Sequence, residues 1–442
     1  MAVNTPHIRT ELPGPKARAL LARDAIVVSP SYPRDYPFVM SHGRGAEIWD
    51  VDGNRFLDFA AGIAVCSTGH SHPAVVRAIK EAADRFLHIS SDYWHEGQVR
   101  LAERMNALSP MREPVMSFFA QSGTECVEGA LKLARHTTGR SRFIGFLGGF
   151  HGRTMGSLAF TSSKYTQQRG FFPTMPGVTH VPFPNDYRPL FAGADQGAAV
   201  LDYIEHVLFA SNVPPSEVAA ILVEPIQGEG GYLVPPDGFL GGLRALCDRH
   251  GILLIFDEVQ SGIGRTGKMF ACEHWDVVPD ILLLAKGLAS GMPIGLVTAK
   301  RSIMQHWTRG SHGNTYGGNP LCCAAALATL DLVEHHYAAN AARVGEHLMS
   351  RLRALAARHP VIGEVRGKGL MIGIELVLDP VTKAPAKKLC DELITAAFHQ
   401  GLILLSCGAS TVRLMPPLLI TEADADEAVF LFEQSLLDVE RS

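Results

Sequence analysis

GILLIFDE (251–258) is the stretch on which the fold turns. From Ile252 to Phe256 the residues are apolar without interruption, and then the chain switches abruptly to Asp257 and Glu258. A strand with one wet face alternates apolar and polar residues. An unbroken run reads instead as a strand covered on both faces, as in a parallel sheet packed between helices. Two further stretches have the same form: AAILVEP (219–225) breaks at Glu224, and ILLLAKG (281–287) breaks at Lys286. In open α/β sheets, ligands bind outside the carboxyl ends of the strands. Glu224, Asp257 and Lys286 are therefore expected around one shared site.

Outward from these runs, helical and short apolar segments alternate from about residue 75 to 320, which predicts an α/β fold with a mostly parallel sheet. Upstream, AEIWDVDGNRFLDFAAG (46–62) reads as a hairpin turning at Asp52-Gly53-Asn54, and residues 1–45 read as an irregular arm with one short helix. Downstream, Val344, Leu348, Leu352 and Leu355 share one helical face. The stretches VRGKGLMIGIEL (365–376), GLILLSC (401–407) and VRLMPPL (412–418) read as strands, and a last helix follows Thr421. The expected division is an arm with part of a small domain (1–74), a large domain (75–325) and a carboxyl-terminal small α+β domain (326–442).

The bulk properties agree. A chain of 442 residues exceeds one ordinary core. A formal charge of −4 gives no footprint for nucleic acid, and no apolar run reaches the roughly 20 residues needed to span a bilayer. The amino terminus lacks the apolar core of a secretory signal, and eight scattered cysteines without a CxxC pair suit free thiols in a reducing cytoplasm. No Cys/His cluster has metal-ligand spacing; His70 and His72 flank a turn and read as structural.

Five motifs carry the chemistry. A lysine following a buried strand, Lys286, can lose charge by desolvation and become a nucleophilic amine toward an aldehyde. A carboxylate at a strand end, Asp257, can pair with a pyridine nitrogen and strengthen an electron sink. Beside it, Val259 is placed to pack on such a ring and Gln260 to bond its phenolic oxygen. Ser122-Gly123-Thr124-Glu125 has capping-box spacing before a helical pattern, and a helix amino terminus with glycine in its first turn receives anions. Phe150-His151-Gly152-Arg153 offers an aromatic for stacking and an arginine for a carboxylate. HGNTYGGNP (312–320) is a glycine-rich loop able to approach a phosphate. Taken singly, each has an ordinary structural reading: a strand-end lysine reaching solvent, a turn carboxylate, a capped helix, a core phenylalanine, a loop.

Taken together, SGTE, FHGRT, EPIQGEGG, DEVQSGIGRTG, AKG and NTYGGNP resemble, in order, the class III aminotransferases of pyridoxal phosphate (PLP) fold type I. The resemblance runs from about residue 45 to the end. It implies PLP as cofactor and a homodimer with composite active sites, with a tetramer of dimers left open. Lys286 would form the Schiff base and Asp257 would pair with the ring nitrogen. Gly123 and Thr124 would bind phosphate, with Phe150, His151, Val259 and Gln260 around the ring. Thr315 would reach the phosphate in the partner subunit. Cys126 and Gly129 depart from the family's frequent alanine and asparagine, and both are small.

Among family members the chain is most similar to 4-aminobutyrate aminotransferases. That implies a ping-pong transfer from an ω-amino acid donor to a 2-oxo acid acceptor, 2-oxoglutarate. By the same resemblance, Arg413 would hold the α-carboxylate of glutamate, Glu224 would pair with Arg413 when that carboxylate is missing, Arg153 would hold the distal carboxylate, and Ile63 would form an apolar wall. HISSDYWHE (88–96) departs from the common aminobutyrate pattern. It resembles a branch that includes ornithine and lysine transaminases and amino acid racemases, so Ser91, Asp92 and Tyr93 are expected to line the substrate pocket. A racemase or epimerase on the same scaffold stays open, because it would use Lys286 and Asp257 identically. It would also need a second proton donor, or water, on the opposite face.

Overall fold

The uninterrupted apolar runs do become strands covered on both faces, with only Leu253 partly exposed. The computed structural model describes residues 5–193 and 195–441. The hairpin expected near the amino terminus is β2 (Glu47–Asp50) and β3 (Arg55–Asp58), preceded by β1 (Met40–Arg44). Its turn closes because Gly53 takes φ +88° while the Asp50 carboxylate accepts the N–H groups of Asp52 and Asn54.

The central sheet holds seven strands: β4 (Val115–Ala120), β5 (Arg142–Phe146), β6 (Val178–Val181), β7 (Val218–Val223), β8 (Leu253–Asp257), β9 (Ile281–Leu284) and β10 (Gly295–Lys300), in spatial order β4-β10-β9-β8-β7-β5-β6. From β9 across to β6 every pairing is parallel, and β10 alone runs against its neighbours β9 and β4. Every residue of β7 and β9 is buried. Each fully buried Leu, Ile or Phe contributes roughly 1.5–3 kcal/mol relative to exposure. The connections therefore place the ends of β4, β5, β7, β8 and β9 along one edge of the sheet.

The helix Gly123–Thr138 packs on this sheet through Val127, Ala130, Leu131 and Ala134, the residues whose spacing predicts it. Its Ser122 hydroxyl accepts from Glu125 N–H, but the Glu125 carboxylate closes the box on Gln121 N–H, one residue earlier than expected. Gly139, at φ +68°, ends the helix. A third sheet, β11 (Ile362–Lys368), β12 (Met371–Leu376), β14 (Leu405–Cys407) and β15 (Thr411–Leu414), has the order β11-β12-β15-β14. The short strand β13 (Leu402–Ile403) instead joins β3 in parallel, so the carboxyl-terminal segment completes the amino-terminal sheet. Helix Ala338–Ala356 buries Val344, Leu348, Leu352 and Leu355, the face read from sequence. No described helix is long and apolar enough to cross a membrane.

Candidate active site

A cavity of about 590 Å³ opens at the carboxyl edge of the central sheet. Its walls include Gly123, Thr124, Phe150, His151, Arg153 and Glu224, together with Asp257, Val259, Gln260, Lys286, Ile63 and Arg413. Of the residues expected from sequence, Thr315 and the segment Ser91 to Tyr93 lie outside it; Thr315 is exposed on its loop. The sequence separation between these groups is large, and the common strand direction brings them together.

Lys286 follows β9 after a break at Ala285 and takes a left-handed backbone with φ +44°. For a residue with a side chain that conformation costs about 1–2 kcal/mol. Burial drives the lysine pKa down, opposed by the carboxylates of Asp257, Glu224 and Glu229, and a depressed lysine is available as a neutral amine. Asp257 ends β8, with Oδ1 accepting from Val259 N–H at 3.0 Å and Oδ2 facing His151 Nδ1 at 2.8 Å. Burial alone would lower the His151 pKa, but the Asp257 contact outweighs it and the net direction is upward.

The edge of the cavity is held by a second acid. Glu224, at the end of β7, accepts N–H groups from Phe150 at 3.1 Å and Gly228 at 3.0 Å. Burial pushes its pKa up to about 7, against the pull of His151. Its carboxylate thus staples the turn after β5 to the turn after β7, and Gln227 Nε2 adds a bond to Leu147 O at 2.9 Å.

This corrects one expectation. The carboxylate paired with Arg413 is Glu229, five residues further on, at 2.8 Å from Nη1; Glu224 is occupied by backbone N–H groups. The turn at Gly228, Gly230 and Gly231 carries Glu229 across the cavity, where its own carbonyl accepts from Gly408 N–H. The second oxygen of Glu229 contacts Lys164 Nζ at 2.7 Å. Burial would raise the Glu229 pKa, yet Arg413 and Lys164 together bring it below the ordinary value. Glu229 and Lys164 were not expected from the sequence. The signal for the former was the acid inside the glycine-rich QGEGG stretch; nothing local marks Lys164.

Arg413 is buried on β15, and its Nε has no hydrogen-bond partner among the described residues. Arg153 lies over the Phe150 ring at 5.2 Å. Ile63 projects at the cavity mouth from a left-handed backbone, φ +67°, that is strained for a β-branched residue. Ser91, Asp92 and Tyr93 do not line the cavity within this chain: Asp92 bonds Ser90 Oγ, and Tyr93 is exposed.

The residues present fit pyridoxal phosphate. The Gln260 amide oxygen is buried without a partner among the described residues, so its amide is open to a ring substituent. The first N–H groups of the Gly123–Thr138 helix have no carbonyl to bond and face the cavity. Gly123 is required there, because a methyl group on it would come within 2.9 Å of Val259 Cγ1. Asp257 and Lys286 complete the donor set, and the volume falls within the range of sites for small ligands.

Comparison with known proteins agrees with this chemistry. The model of the family "Aminotransferase class-III" matches residues 29–436. An alanine/serine racemase of Pyrococcus horikoshii is 40% identical over 98% of this chain and 93% of its own length. A 4-aminobutyrate aminotransferase of Mycobacterium bovis is 38% identical over 97% of this chain and 98% of its own. Among solved structures, an amine transaminase from an uncultivated Pseudomonas species, in its PLP-bound form, superposes with a TM-score of 0.87 at 34% identity, covering 93% of this chain and 97% of that one. On its fold, its site and these relatives, the chain belongs to the class III aminotransferases, a family of PLP-dependent enzymes.

Proposed function

We propose that the enzyme moves the amino group of an ω-amino acid of the 4-aminobutyrate type to 2-oxoglutarate in a ping-pong scheme. Bound pyridoxal phosphate supplies the electron sink that makes a C–H bond beside nitrogen acidic. In this reading Gly123 and Thr124 hold the phosphate through N–H groups, Phe150 and Val259 enclose the ring, and Gln260 bonds its phenolic oxygen. Asp257, bonded to His151, would face the ring nitrogen. Lys286, its pKa lowered by burial, would take a proton from the substrate carbon and return it one position away.

The observation that carries the choice of substrates is the Arg413–Glu229 pair. With Glu229 on Nη1 the guanidinium is satisfied when the donor lacks an α-carboxylate. With Glu229 turned aside, the two terminal nitrogens Nη1 and Nη2 offer the bidentate fork that a carboxylate such as that of glutamate requires, and the unpartnered Nε is a further donor. A site that alternates between an ω-amino acid and 2-oxoglutarate needs both states, whereas a racemase of α-amino acids needs one. Arg153 would hold the distal carboxylate and Ile63 would wall the chain between.

Racemisation is the second reading, favoured by the 40% identical racemase. Glu229 is the carboxylate that would serve as the second proton donor. Its depressed pKa between Arg413 and Lys164 leaves it ionised and poor in that role, which favours transamination. Thr315 is exposed away from its own cavity beside Tyr316, which meets His88 at 5.1 Å between ring centroids, and Leu87, Tyr93 and Trp94 are exposed nearby in sequence to His88. This supports a homodimer in which Thr315 serves the partner's site. Eight free cysteines suit a reducing cytoplasm.

The test is a spectral titration of the holoenzyme with 4-aminobutyrate and no oxo acid. Stoichiometric loss of the visible cofactor band, restored by 2-oxoglutarate, is expected. A band that persists with ω-amines while an L-amino acid loses optical activity would replace this reading with the racemase.

A further inference from the structure

The Glu229 carboxylate has two cations, and the proposed switch uses only one. Oε2 meets Arg413 at 2.8 Å and Oε1 meets Lys164 at 2.7 Å, one cation on each oxygen. The two cations are differently mounted. Arg413 is fixed in β15, in register opposite Gly373 of β12, with a side chain 7% exposed. Lys164 sits in a loop, held at its backbone by Gln167, and its side chain is 37% exposed on a four-carbon tether. It can follow Glu229, and Arg413 cannot.

We infer that Lys164 is the third member of the specificity switch: it keeps Glu229 paired when Glu229 swings off Arg413 and leaves it to the α-carboxylate of a substrate. This rests on the reading of Arg413 and Glu229 given above. With Arg413 as its only partner, Glu229 would lose its counter-ion when a carboxylate arrived, and a poorly solvated carboxylate left alone is strongly disfavoured. It would also repel the incoming anion. With Lys164 attached, the departing Glu229 keeps an ion pair and its charge stays compensated. Lys164 thereby favours substrates that carry an α-carboxylate over those that lack one, without touching either.

The test uses three holoenzyme variants, Lys164→Met, Lys164→Arg and Glu229→Gln, with half-reaction kcat/KM measured for glutamate and for 4-aminobutyrate. Lys164→Met is expected to lower the glutamate to 4-aminobutyrate ratio by about tenfold or more, and Lys164→Arg to bring it back to within about threefold of the parent. Calorimetric binding of glutarate, which does not react, gives an independent measure: its Kd should rise about tenfold in Lys164→Met and recover in Lys164→Arg. Glu229→Gln should move the ratio the other way, toward glutamate. A ratio and a glutarate Kd that Lys164→Met leaves within about threefold of the parent, while Glu229→Gln shifts the ratio, overturn the role of Lys164 alone. An equal loss for both donors makes Lys164 a plain carboxylate ligand and overturns it as well. No shift in Glu229→Gln overturns the underlying switch, and the inference with it.

Discussion

The left-handed backbone of Lys286 turns its side chain out of the strand line and into the cavity, where burial strips the ammonium of water and Asp257, Glu224 and Glu229 only partly compensate. The proton transfer proposed for this residue would draw on strain and desolvation, both properties of the fold around it. Lys286→Ala is expected to lower kcat by about 10²–10⁴-fold while leaving the melting temperature of the cofactor-free protein unchanged or raised, since a buried amine is removed. Turnover and thermal melts check this together; a variant with near-parental turnover would remove Lys286 from the mechanism. The neighbouring carboxylates illustrate how environment sorts like residues. Glu224, which has no cation bonded to it, is pushed up to about 7 by burial, whereas Glu229, equally within the cavity wall but paired with two cations, is held down.

Among the elements, the end of β3 is pinned by Asp58, whose Oδ2 meets His70 Nε2 at 2.7 Å, while the backbone of His70 bridges to Gly45. Burial would lower the His70 pKa, but Asp58 and Cys66 raise it to about 10. A histidine raised in the folded state binds a proton that the unfolded chain has released. Its contribution to stability is therefore complete below about pH 6.5 and is lost as pH rises through about 10. Melting curves of the parent and His70→Gln should differ most in acid and neutral buffer and converge above that value; a gap that widens with pH would contradict the pairing. Element-level features of this kind were legible in sequence where one pattern governs: the breaks at Glu224, Asp257 and Lys286 marked the strand ends because apolar runs stop sharply there. The partner of Arg413 was not legible. Two glutamates lie five residues apart, and which one crosses the cavity depends on the glycine turn between β7 and Leu233, a property of backbone angles. Lys164 arrives from a loop 65 residues from Glu229, with no periodicity to announce it. Ser91 to Tyr93 were expected at the pocket by resemblance and lie elsewhere within the chain.

At the scale of the whole molecule, the cavity is built by one chain, and Thr315 lies outside it, exposed on its loop. In the dimer proposed, each site takes Lys286 from one chain and Thr315 from the other. Lys286→Ala and Thr315→Arg, each impaired alone, should then recover activity when co-expressed and purified as a mixed dimer, because one of its two sites is intact; about half of the parental turnover is expected. Mixed dimers no better than either variant would mean that Thr315 serves no partner site. A different long-range dependence is already fixed by the pairing of Asp58 with Ile403. During synthesis the hairpin and its sheet must wait for a strand made about 345 residues later, roughly 20–70 s at ordinary ribosomal speed. For that interval the strand around Asp58 is a client of whatever shields nascent apolar surface, so a segment made early completes its sheet late.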